Sequence, residues 1–133
     1  MTDLFVPTTT DHDTGGFWEA ARRHQIAVLY CASCDAVLHM PKQYCRRCGS
    51  FDTAWRDVRP QGSVYSWIVV ERQIHPAYPA PYTIALIELD DAREARLIGH
   101  LPGRVDLQAG QAMIAGFEDH ETYTLPVWRL ASV

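Results

Sequence analysis

Four cysteines carry the strongest chemical signal in this 133-residue sequence, Cys31-Ala-Ser-Cys34 and Cys45-Arg-Arg-Cys48, and they are all the cysteines it has. Two Cys-x-x-Cys pairs with ten residues between them have the spacing of a tetrahedral four-thiolate metal site. In such a site each pair forms a tight knuckle, and the two knuckles clamp one ion from opposite sides. Zinc is the expected ion, held at about 2.3 Å from each sulfur. Iron fits the same donors, and the sequence leaves that substitution open. A disulfide framework would need an oxidising compartment, and a thioredoxin-like centre would need one such pair in a βαβ setting. Four protein ligands close the coordination sphere, so the metal would be structural. With every sulfur committed, no thiol is left for nucleophilic catalysis.

The flanking residues are suited to two knuckles. Ile26–Tyr30 and Val37-Leu38 read as short strands entering and leaving the first. Gly49 follows Cys48 where the turn needs positive φ, and Asp35 holds the equivalent place after Cys34, a less comfortable choice.

Catalytic sets are not evident elsewhere. The six histidines (12, 24, 39, 75, 100 and 120) show no i, i+4 pairing. His39 reads as a surface residue between the knuckles, and His75 and His100 as residues able to line a barrel mouth. Asp90-Asp91 and Glu118-Asp119 have turn composition. There is no Gly-x-Ser-x-Gly, phosphate loop or dinucleotide fingerprint.

The net charge of −4 is unevenly spread. Residues 17–60 hold seven Arg or Lys against four acids, whereas residues 61–133 hold five against nine. Positive charge therefore gathers around the cysteines. An acidic remainder argues against phosphate-driven nucleic-acid binding, although Tyr65, Trp67, Tyr78 and Tyr82 could stack bases. Apolar runs are too short to span a bilayer. Residues 1–16 carry three acids and no basic residue, the wrong sign for an export signal, so a cytoplasmic location is the expectation.

Elements that position the cysteines follow from periodicity. Residues 1–15 read as a flexible lead and residues 16–58 as a short helix plus the metal ribbon. Phe17 and Trp18 lie on the apolar side of that helix, which is too short to stand alone and must dock on its own chain or on a partner. Residues 59–133 alternate β-branched and aromatic runs with turn signals. Five strands are expected, at 63–72, 83–89, 95–101, 111–118 and 123–130, curled into a small closed barrel.

This layout resembles the DUF35 family, in which an N-terminal rubredoxin-like zinc ribbon precedes an OB-fold. The match rests on Phe17-Trp18-Glu19, the two knuckles, Met40-Pro41-Lys42, Gly62–Trp67, Pro81–Leu89 and Gly110. The chain departs from the family's pattern at Asp35, usually Gly, and at Lys42, commonly Arg. The resemblance implies a mainly β protein with a structural Zn2+. It also implies an accessory subunit of a thiolase-like or aldolase partner, one that helps form an acyl-CoA site. Lys42, Arg46 and Arg47 are then expected at CoA phosphates, Tyr82 near the acyl or pantetheine part, and Phe17 and Trp18 at the partner. A stand-alone acyl-CoA-binding protein and a single-stranded nucleic-acid binder are the alternatives.

Overall fold

The computed structural model describes residues 6–131. Residues 1–5 of the expected lead and the last two of the chain lie outside them. The chain is mainly β. Helix α1 (Gly15–Arg22) leads into strand β1 (Ile26–Cys31), and the knuckle region follows. Strand β2 (Thr53–Val58) then returns antiparallel to β1, in the register Ile26↔Val58 to Cys31↔Thr53. Strands β3 (Gln61–Val70), β4 (Tyr82–Leu89), β5 (Arg96–Pro102), β6 (Ala112–Asp119) and β7 (Thr124–Leu130) make a second sheet in the order β5-β4-β3-β6-β7.

That order is OB-like, and the five strands after the ribbon fall where periodicity places them. The closure differs from the expected barrel. Among the described residues no hydrogen-bonded ladder joins edge strands β5 and β7. They meet by packing: a Cβ at Gly99 on β5 would lie 3.0 Å from Trp128 Cβ on β7. A bulky indole replaces hydrogen bonds at the seam, and Gly99 makes room for it. The core beneath includes Ile87, Leu89, Val64 and Met113, with Ile26 and Val28 of the ribbon in the same cluster. Burial of this shared apolar surface fastens ribbon to sheet.

Two features at the ribbon's base tighten the junction. Arg59 forks onto Asp91, with Nε and Nη2 donating to Oδ1 at 3.0 and 2.6 Å, and its backbone N–H reaches Oδ2 at 2.8 Å. Gly62 passes so close to β4 that a Cβ there would lie 2.2 Å from the Glu88 carbonyl oxygen. Only glycine permits that approach.

Local chemistry sets the start of α1. Asp11 accepts from the N–H groups of Asp13 (2.6 Å) and Thr14 (3.2 Å) and from the Thr14 hydroxyl. The Thr14 side chain therefore points back to the turn and does not cap the helix.

Candidate metal centre

Both knuckles use the same backbone device. Asp35 N–H donates to Cys31 O (2.8 Å) and Gly49 N–H to Cys45 O (2.9 Å), with φ of 65° and 81° at the donor residues. The positive φ expected at both positions is present. Each knuckle then closes with a second bond, Cys31 N–H to Ala36 O and Cys45 N–H to Ser50 O. The expected return strand at Val37-Leu38 is reduced to an isolated bridge, Tyr30 to Val37. The strand that pairs along β1 is instead β2, Thr53–Val58.

These turns bring the sulfurs together. Cys31 Sγ lies 3.6 Å from Cys48 Sγ, Cys34 Sγ lies 3.6 Å from Cys45 Sγ, and all four fall within 4.8 Å of one another. A tetrahedron with about 2.3 Å from metal to sulfur has edges of about 3.8 Å. The cluster therefore has the size of a four-thiolate shell, and none of the four cysteines is in a disulfide. Cys31 and Cys45 are buried, Cys34 is half-buried and Cys48 exposed.

The electrostatics also suit a cation. The Cys48 N–H, against the opposing effect of burial and with help from the Arg47 N–H, holds the Cys45 thiol down at about 6. The Ser50 N–H favours the Cys48 thiolate, yet its bond with Cys31, its burial and the other sulfurs push it up to about 11. Four sulfurs this close cannot all carry negative charge unless a positive ion sits among them. A divalent ion removes that conflict, and no open position remains for a substrate.

The basic residues around the knuckles are engaged within the chain. Arg46 donates to the carbonyls of His39 (2.8 Å) and Met40 (3.2 Å), and Arg47 to that of Cys34 (2.7 Å). The second knuckle is thereby stitched to the first. Lys42 pairs with Asp13 at 3.3 Å. All three remain exposed.

Phe17 and Trp18 meet edge to face with centroids 5.2 Å apart. They line an apolar pocket of about 240 Å³ enclosed by α1, β1, Trp55 of β2 and Pro41. Phe17 also packs on the main core. His39, expected at the surface, is half-buried in this pocket and hydrogen-bonds the backbone of Arg96; burial lowers its pKa. Trp55 was not legible as a docking post, although alternation over Thr53–Val58 and the facing β1 pattern carry the signal.

Tyr82 lies elsewhere. With Ile74, His75, Tyr78, Ile84 and His100 it lines a second pocket, of about 410 Å³. The His100 ring stands 5.1 Å from Tyr78 and 5.0 Å from Tyr82. Among the described residues its Nε2 is buried without a hydrogen-bond partner, and desolvation lowers its pKa. His75 and His100, expected at a barrel mouth, thus share one concavity with Tyr82. Arg96, beside the ribbon, and Pro102, opposite Tyr82, are six residues apart on β5. That is about 20 Å of strand, so Tyr82 and the knuckle cations cannot touch the same ligand group.

Comparison with known families and structures agrees with this architecture. Residues 18–54 match the profile described as the ChsH2 rubredoxin-like zinc ribbon domain, and residues 55–119 match the ChsH2 C-terminal OB-fold domain. A solved chain of the complex described as "Ltp2-ChsH2(DUF35) aldolase" superposes with a TM-score of 0.82 at 32% identity, covering 95% of this chain and 100% of that one. A DUF35-family protein of unknown function from Sulfolobus solfataricus shares the fold, with a TM-score of 0.62 at 16% identity over 92% of this chain and 86% of that one. Among curated proteins, one from Thermomonospora curvata named "Probable enoyl-CoA hydratase alpha subunit" is 33% identical over 91% of this chain. The "3-oxo-4,17-pregnadiene-20-carboxyl-CoA hydratase alpha subunit" of Mycobacterium tuberculosis is 25% identical over 95%. The chain spans only 38% and 40% of the length of these two relatives.

Proposed function

The chain belongs to the DUF35 family built from a ChsH2-type zinc ribbon and OB-fold, and on that premise we propose that it is a non-catalytic accessory subunit. Its partner is a thiolase-superfamily or aldolase subunit that carries the chemistry on an acyl-CoA substrate. The observation that carries this reading is the 0.82 TM-score likeness to the whole of a DUF35 chain described as part of an aldolase complex. The curated relatives, named as CoA-ester hydratase subunits, favour the same substrate class.

Within this proposal Cys31, Cys34, Cys45 and Cys48 hold Zn2+ in a purely structural role. The ion would make a foldable unit of a segment whose own buried cluster is little more than Leu29, Leu38, Cys31 and Cys45. Phe17 and Trp18, half-buried on α1, are the helix residues that would reach the partner. Lys42, Arg46 and Arg47 have donors to offer a CoA phosphate, while Tyr82, about 20 Å away along β5, can only meet a different part of an extended ligand.

The test is native purification of the tagged chain with mass spectrometry of what accompanies it. Recovery of a stoichiometric thiolase-like or aldolase subunit is the expected result. Recovery of a monodisperse monomer alone refutes the accessory role.

A further inference from the structure

Protein interiors are close-packed, with few voids larger than a water molecule. The space beneath α1 departs from that. It holds about 240 Å³, room for about eight waters at about 30 Å³ each. Its deepest lining residues, Ala27, Leu29, Leu38 and Ala95, are at most 5% exposed, and Phe17, Trp18 and Trp55 form half-buried walls. An enclosed water needs about two to four polar partners, and this lining offers few. Water there is weakly held, and an apolar group that displaces it gains affinity.

The rim sets the chemistry of the other end of a ligand. Thr14 commits its hydroxyl to Asp11, which leaves His39 as the ionisable side chain in the lining. Asp13 and Lys42, next in sequence to Thr14 and Pro41, pair at 3.3 Å and so answer each other. Arg93 and Arg96 share Glu88, with Glu94 beside them in sequence. Arg46 differs. It donates to the carbonyls of His39 and Met40, and among the described residues no carboxylate pairs with it. Arg47 is the guanidinium that faces the sulfurs. Burial lowers the His39 pKa first, and the ionic groups that lower it further are Arg46 and Arg96. Glu94 is felt at Tyr30. The imidazole at the rim therefore sits in a positive field, which an anionic head group complements. An apolar recess with a few polar groups at its mouth is the usual form of a small-molecule site.

We propose that this pocket binds a medium-chain carboxylate, an apolar chain of about seven carbons lying between α1 and Trp55 with its carboxylate at the His39 rim beside Arg46. The site belongs to this chain alone and does not depend on the accessory-subunit reading.

The test is calorimetric titration of the zinc-loaded full chain with straight-chain carboxylates, with tryptophan emission as a second readout because Trp18 and Trp55 wall the pocket. Octanoate is expected to bind saturably and about 100-fold more tightly than butanoate, which has four fewer methylenes to bury. Dodecanoate is expected to stay within about 5-fold of octanoate, because the pocket is full at about eight atoms. Octan-1-ol, with the same chain and no charge, should bind about 10-fold more weakly than octanoate. Arg46→Gln should weaken octanoate about 5- to 10-fold, whereas Arg104→Gln, beyond the far end of β5, should leave it unchanged. Zinc content and melting temperature establish that the variants are folded, and the ligand series on the parent needs no variant at all. Absence of saturable octanoate binding overturns the proposal. So does affinity that keeps climbing to dodecanoate, the behaviour of adsorption on an open apolar surface. Octan-1-ol binding as tightly as octanoate, or a folded Arg46→Gln with parent affinity, overturns the anionic head group at this rim. Each of these failures leaves the accessory role standing.

Discussion

Alanine at Gly16 should destabilise the protein, although alanine is the better helix former. In an exposed helix interior Gly→Ala gains about 1 kcal/mol, and less in a first turn. A Cβ at Gly16 would lie 2.2 Å from Trp55 Nε1, 2.3 Å from Cδ1 and 2.5 Å from Cε2. Ordinary heavy-atom contact is about 3.5–4 Å, so the indole must retreat by more than about 1 Å. Trp55 is held in β2 opposite Leu29, and its ring walls the pocket beneath α1. Overpacking of this kind costs about 1–3 kcal/mol, which leaves a net loss of about 1–2 kcal/mol. For a chain of this size that is a fall in Tm of roughly 3–8 °C. Gly15 is the control, since a Cβ there meets Thr9 O at an ordinary 3.4 Å. Thermal and urea unfolding with saturating zinc, followed by tryptophan fluorescence, should show Gly15→Ala at or above the parent and Gly16→Ala clearly below it. A Gly16→Ala variant as stable as Gly15→Ala would refute the docking of α1 on Trp55.

Three further outcomes follow from single interactions. Thr83 is fully buried, and its hydroxyl donates to Gly103 O (2.8 Å) while accepting from Val105 N–H (3.0 Å); Thr83→Val strands both partners and should cost about 1–3 kcal/mol in urea unfolding. The Arg59 side chain, and then its N–H, hold Asp91 down at about 2, below its ordinary 3.8. This depressed carboxyl contributes stability that is present above about pH 4 and lost as pH falls toward 2. Asp91→Asn should therefore flatten the Tm profile across that window, and parallel profiles would contradict the clamp. Removing the metal with a strong chelator should raise amide exchange across 26–58 far more than across β3–β7; uniform loss of protection would mean that the two sheets unfold as one.

How much of this was legible in the sequence depends on how local the signal is. The knuckles were legible because spacing, ligand type and the two positive-φ positions all lie within nineteen residues, from 31 to 49. The five strands were legible through alternation and turn residues. Closure was not, because whether β5 and β7 share a ladder depends on how Trp128 fills the seam, which no local pattern encodes. Arg46 and Arg47 looked like free cations because sequence gives charge without the carbonyls that answer it. The apolar outer face of β4 was visible in principle, since Tyr82, Ile84 and Leu86 recur at alternate positions up to Glu88. Its reading as a surface required the register that lines it up with Ile68 and Ile98.

Metal K-edge X-ray absorption on the purified chain interrogates most directly the claim that all four sulfurs are spent on one ion, so that chemistry falls to a partner. One zinc per chain with a shell of four sulfurs at about 2.3 Å is the expected spectrum. A light-atom ligand in that shell, or a chain that folds without metal, would contradict it.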